Sequence, residues 1–242
     1  MSNSKRFLQV FASIENYLRE LTPKDKRISF YERVDTVGRA KPAVRRFDRD
    51  LKEFADLRNA IIHESSDGHV IAEPNERAVQ DLERIAEVIL KPPIVIPLFQ
   101  TEVITLSQSD AIALAVQTMF ERSISQVPVT AGATRREFMG LLTTNTVARW
   151  LGAGLGGGDA KLEHTTIGDV LAYTEDADNH CFLARDATLF EAIECFQRYE
   201  TEGRRLDAVL ITANGKSTER IIGTMTIADL PRALKAIGTN AK

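Results

Sequence analysis

Two stretches of this chain spell the same order of short elements. Val103-Ile104-Thr105-Leu106 reads as a strand, 111–120 as a helix, Gln126-Val127-Pro128-Val129 and Phe138-Met139-Gly140-Leu141-Leu142-Thr143 as two strands, and the run through Trp150 as a helix. The order recurs with Cys181-Phe182-Leu183, a helix over 188–199, Ala208-Val209-Leu210-Ile211, Ile221-Ile222-Gly223-Thr224-Met225-Thr226 and a last helix to Ile237. Neither stretch is long enough to bury its own apolar faces, so the smallest stable arrangement packs the two together.

The chain ahead of this repeat has another texture. Phe7, Val10, Phe11, Ile14, Leu18 and Leu21 recur at steps of three and four, one apolar stripe at helical period that stops at Thr22-Pro23. Val44, Phe47, Leu51, Phe54 and Ile61 form a second stripe with Pro42 near its start, and Asp67-Gly68 breaks it. After Pro74-Asn75 a third carries Val79, Leu82, Ala86 and Ile89. Strand signals are confined to the short run 69–72. Lys91-Pro92-Pro93 then forms a stiff, extended link and marks a domain boundary.

Composition bounds the possibilities. At 242 residues the chain has room for one large or two small domains, and no apolar run has the length of a membrane span. Met1 to Arg6 is polar and does not read as a signal peptide. The two cysteines, Cys181 and Cys195, stand in no metal-ligand spacing and point to a reducing cytoplasm. His164 and His180 are unpaired in sequence, so no metal site is expected. Residues 1–63 hold 14 basic and 9 acidic side chains, a surplus that permits a polyanion contact without requiring one.

Gly223-Thr224-Met225-Thr226-Ile227-Ala228-Asp229 resembles the Gly-x-x-Thr-x-x-Asp signature of CBS (cystathionine-β-synthase-type) repeats, and Thr166-Ile167-Gly168-Asp169-Val170-Leu171 resembles the segment that introduces a second repeat. The resemblance implies an α+β protein of two domains: an N-terminal all-α helical bundle over 1–91, then a CBS pair of two βαββα repeats over 92–242, repeat one about 94–152 and repeat two about 165–240. It also implies a regulatory adenine nucleotide (ATP, ADP or AMP), its ribose and phosphate held by Thr226 and Asp229, with Arg204 and Arg205 as phosphate contacts. The chemistry suits that spacing, because a strand end that opens a helix favours phosphate and a carboxylate accepts both ribose hydroxyls. The competing reading makes Thr226 a plain helix cap, with Asp229 in its first turn. In the first repeat, Thr146 stands where the Asp should be and Gln126 replaces the basic residue, so one ligand per chain is expected. Residues 152–157 formally match Gly-x-Gly-x-x-Gly, but no strand precedes them and no helix follows, so they read as a flexible loop between repeats.

In the second helical stripe, position 58 is an arginine in line with Phe47, Leu51 and Phe54. A guanidinium there either snorkels at the rim or faces a groove that takes an anion or a partner chain. Asn59 and His63 are four apart on the same helix face. Arg58-Asn59-Ala60-Ile61-Ile62-His63 resembles the Arg-Asn-x-x-x-His motif of HEPN domains, helical bundles of which many are metal-independent ribonucleases. The resemblance implies His63 as general base toward an RNA 2′-hydroxyl, Arg58 as stabiliser of phosphoryl charge and Asn59 as orienter, in a site composed across a homodimer. The alternative is a non-enzymatic, nucleotide-responsive regulator whose bundle dimerises or docks a partner.

Overall fold

The computed structural model describes residues 2–23, 28–63, 73–131, 137–157, 164–177 and 179–238. It falls into two compact units: one of residues 1–93 joined by 189–191 and 233–242, the other of residues 94–188 and 192–232.

The regular elements of the described residues 2–90 are all helices. α1 (Asn3–Glu20) opens where the Ser2 side chain accepts from Lys5 N–H, and it buries Phe7, Phe11, Ile14 and Leu18. Thr22 Oγ1 closes it by donating to the Leu18 carbonyl at 3.0 Å. α2 (Phe30–Ala40) has a reciprocal cap between Ser29 and Glu32 and turns Val34, Val37 and Gly38 inward. The stripe read as one helix over 44–61 is two. α3 (Pro42–Arg46) starts on its proline, Phe47 departs from helical geometry at φ −107°, and α4 (Asp48–His63) follows. α5 (Glu76–Leu90) is capped by Asn75 and buries Val79, Leu82, Ile85, Ala86 and Ile89. α1 and α5 lie together. Arg6 reaches Glu76 and Glu83, each at 3.0 Å, and Phe7 meets the Phe54 ring edge-on at 5.9 Å between centroids. The strand signal at 69–72 and His69 lie outside the described residues.

The second unit carries the repeat, apart from residues 189–191 and 233–236, which group with the first. Its elements are α6 (Val95–Leu98), β1 (Leu106–Ser107), α7 (Ile112–Arg122), β2 (Gln126–Ala131), β3 (Glu137–Thr143) and α8 (Thr144–Gly157). Then come α9 (Ile167–Leu171), β4 (His180–Ala184), α10 (Leu189–Thr201), β5 (Ala208–Thr212), β6 (Gly223–Met225), a 3-10 turn (Ile227–Asp229) and α11 (Leu230–Ala236). Each repeat makes a three-stranded sheet whose first strand runs parallel to the middle one, with the third antiparallel to it. A crossover helix between parallel strands is what that order demands. β5 is buried along its whole length, in keeping with its unbroken apolar run.

The two repeats are laced together. The segment leading into one pairs with the helix start of the other, Ile94 with Thr188 and Thr166 with Ala111. Gln100 bridges Gly223, and Thr101 N–H donates to the Ile222 carbonyl at 3.3 Å. Leu141, Ala208, Leu210 and Ile221 form a shared core, with Val103, Phe138 and Phe182 against it. The strand read over 103–106 shrinks to Leu106–Ser107 for this reason: residues 100–101 are drawn to β6, leaving Val103 and Ile104 to face a cleft. The glycine-rich stretch 152–157 is the end of α8 rather than a loop. Thr146 and Trp150 carry the buried face of that helix, and Gly152 falls on the open side, where a side chain would meet nothing. Exposed glycine weakens a helix without stopping it.

Candidate functional site

Two clefts of the second unit draw on the strand-to-helix junctions and on loops from both repeats. The larger, about 420 Å³, is floored by Thr224, Thr226 and Ala228 from the strand-to-helix junction of repeat two. Its walls are Val103, Ile104, Ile124, Pro128, Leu141, Ala208 and Leu210, and its rim carries Glu102, Ser123, Ser125 and Gln126. The smaller, about 300 Å³, is floored by Thr143–Thr146 and walled by Thr174–Asp176, Asn179, Gly203–Arg205 and Asp207. Both sizes suit a small ligand.

Thr226 and Asp229 come together as a helix cap. Thr226 N–H donates to Asp229 Oδ2 at 2.8 Å, and Thr226 Oγ1 lies 3.1 Å from the same oxygen, closing a capping box over the 3-10 turn. Gly223, three residues before, is held to glycine by its neighbour. A Cβ there would collide with the Phe99 carbonyl oxygen.

Arg204 and Arg205 do not join them. The structure places both in the smaller cleft, beside the first repeat's Thr143 and Thr146. The reason is the crossing of the repeats: the loop ahead of one repeat's middle strand faces the strand end of the other. Gln126, with Ser123 and Ser125, therefore stands opposite Thr226. Sequence reasoning paired the motif with the arginines of its own repeat, and nothing local in the sequence announces the exchange.

Both arginines are engaged by carboxylates. Arg204 forms a fork on Asp176, Nε to Oδ2 at 2.9 Å and Nη2 to Oδ1 at 3.1 Å, with its guanidinium over the Tyr199 ring. Arg205 Nε lies 2.7 Å from Asp207 Oδ1, while buried Asn179 donates to Asp207 Oδ2 at 2.9 Å. Thr143 and Thr146 share a hydroxyl hydrogen bond of 3.0 Å, and Thr146 N–H donates to Thr143 Oγ1, so the first repeat caps its helix by hydroxyl where the second uses a carboxylate. Asp176, Asn179 and Asp207 were not foreseen. Asp176 lies 28 residues from its arginine, a separation at which no sequence pattern links them.

In the helical unit, Arg58 and Asn59 are half-buried on α4, and Arg58 Nη1 donates to Asn59 Oδ1 at 3.2 Å. His63 is the last residue of that helix, and its side chain lies outside the described residues. Among the described residues, no helix is long and apolar enough to cross a membrane.

Together these features define the class of the second unit: a tandem α+β repeat with two composite clefts. No family model matches the chain, and no curated protein is similar to it. Among solved structures it is similar to the CBS domain pair of protein MJ0100 in complex with 5′-methylthioadenosine and S-adenosyl-L-methionine, at 14% identity over 60% of this chain and 98% of that one, TM-score 0.42. It is also similar to the CBS-pair protein CBSX2 from Arabidopsis thaliana, at 16% identity over 62% and 99%, TM-score 0.43. A third is the CBS-domain containing protein ATU1752 from Agrobacterium tumefaciens, at 24% identity over 55% and 84%, TM-score 0.39.

Proposed function

We propose that residues 94–232 act as a CBS-type sensor that binds an adenosine-containing ligand in the Thr226 cleft. The observation that carries this reading is an apolar slot that ends on Thr226. Val103, Ile104, Pro128 and Leu210 line the slot as a purine would require, and the Asp229 carboxylate, bonded to the Thr226 amide next to the lining, would offer acceptor oxygens to a ribose diol. Titration calorimetry of the full chain with ATP, ADP, AMP and adenosine tests it. Asp229→Asn keeps an oxygen for the cap but loses the charge, so it is expected to weaken binding about tenfold or more with little change in melting temperature. Silence with all four ligands, or undiminished binding by the variant, would sink the assignment.

The helical unit is proposed as the effector, a metal-independent ribonuclease built on Arg58, Asn59 and His63. Supporting it is the half-buried Arg58 guanidinium bonded to Asn59 on the helix that ends in His63. Cleavage of labelled RNA in EDTA, abolished by His63→Ala, is the expected result; intact RNA would leave the bundle as a docking or dimerising regulator. The proposed working form is a homodimer, with Phe120 and Leu155, 85% and 84% exposed, as candidate contact residues. Sedimentation at a single-chain mass would refute it.

A further inference from the structure

The basic surplus of the first 63 residues is concentrated in one short segment. Residues 39–49 hold five cations, Arg39, Lys41, Arg45, Arg46 and Arg49, against one acid, Asp48. That is a surplus of four, out of the five that residues 1–63 carry in all. All five cations are exposed.

The fold gathers them at one junction. α2 ends at Ala40 and α3 begins at Pro42, so the chain turns within two residues. Across the turn, a Cβ on Gly38 would stand 3.5 Å from Arg45 Cα, and Arg45 Nη1 donates to the Arg39 carbonyl at 3.4 Å. Arg46 follows on α3, and Arg49 lies in the first turn of α4. The acids that flank the segment face another cation: Lys52 holds Asp35 at 2.6 Å and Asp48 at 2.9 Å. Arg49 meets Glu53 at 2.8 Å in an exposed pair, which binds little. Like charges crowded at one corner repel, and a polyanion laid across them relieves the repulsion.

From this concentration of charge we propose that the ridge of residues 39–49 is a docking surface for the phosphate backbone of RNA. Four of its five cations are arginines, whose planar forks match phosphate oxygens two at a time. Its apolar side chains, Ala43, Val44 and Phe47, are buried in the core, and theirs is the face an amphipathic helix would lower into a membrane. The proposal takes its choice of RNA from the reading of the helical unit as a ribonuclease, but its test needs no cleavage.

The test is fluorescence anisotropy of the full chain with a labelled single-stranded RNA, methylated at every 2′ oxygen so that it cannot be cut, over a salt series in EDTA. Expected is binding that weakens with salt at a logarithmic slope of about 0.7 per phosphate contacted. Lys41→Gln with Arg46→Gln is expected to weaken binding about tenfold or more at low salt and to flatten the slope by about 1.4. Lys5→Gln with Arg77→Gln removes the same charge from exposed positions on α1 and α5 and is expected to change either little. No binding at low salt, or equal loss in the two double variants, would overturn the ridge. Binding to phosphatidylserine–phosphatidylcholine vesicles with none to RNA would overturn it in favour of a lipid surface. Ridge-dependent binding by a protein that leaves ordinary RNA intact would uphold the docking surface and sink the ribonuclease reading alone.

Discussion

Gly223 and Gly152 are the same residue type under opposite constraints. Gly223 lets the Phe99 backbone approach β6, and a methyl group there has no room to form. Gly223→Ala is therefore expected to destabilise the second unit by about 1–3 kcal/mol, the cost of forcing a packed site apart. Gly152 lies exposed within α8 with open space around it. Gly152→Ala is expected to stabilise by about 0.5–1 kcal/mol. Denaturant melts of the two variants check both signs. Cys181 offers another check at this scale. The Cys195 thiol and burial both push its pKa well above the ordinary thiol range, so it holds its proton at neutral pH. Folded protein is expected to react slowly with a thiol reagent at pH 7.5, and fast labelling without denaturant would contradict that environment.

Elements differ in how openly the sequence declares them. The stripe of Phe7, Phe11, Ile14 and Leu18 announces α1, and the runs over 126–129 and 208–211 announce β2 and β5, because burial on one face or on both leaves a periodic trace. α2 was silent on that measure, with two buried valines and a glycine in eleven residues; its signal was the cap, Ser29-Phe30-Tyr31-Glu32. The candidate site was half legible. Thr226 and Asp229 are near in sequence and form the helix cap that the competing reading offered, whereas the exchange of arginines between clefts depends on how two repeats interlock, which no local pattern encodes.

The caps and ion pairs of the helical unit predict its response to acid. The Ser4 hydroxyl and amide hold Glu73 below the ordinary carboxylate range, the Arg6 guanidinium does the same for Glu76, and the Ser29 amide and hydroxyl do so for Glu32. A depressed folded-state pKa adds stability that is complete above the unfolded-state value, about 4.3 for glutamate, and is lost as pH falls through the folded value. Hydrogen exchange of the α1 and α2 amides is expected to quicken as pH drops from about 5 toward 3, after correction for intrinsic exchange. Unchanged protection across that interval would show that these contacts contribute nothing.

At the scale of the whole molecule, the laced repeats set the cooperativity. Leu141 of one repeat shares a core with Ala208, Leu210 and Ile221 of the other, and the lead-in segments are exchanged. β2 and β5 are therefore expected to open with the same free energy in native-state hydrogen exchange, as one cooperative block. Separate opening energies would show two independent modules.

The exchanged lead-ins also bear on the order in which the chain meets its partners during synthesis. Val95 donates to the Ala187 carbonyl, and Gln100 waits for Gly223, more than a hundred positions downstream. While the ribosome delivers those residues, the first repeat exists as an unfinished half whose lead-in has no edge to join. Contacts at such separation are slow to form and leave strand edges open to strangers. Nascent chains arrested at residue 157 should then bind chaperone and resist refolding, while chains long enough to expose β6 should compact at once.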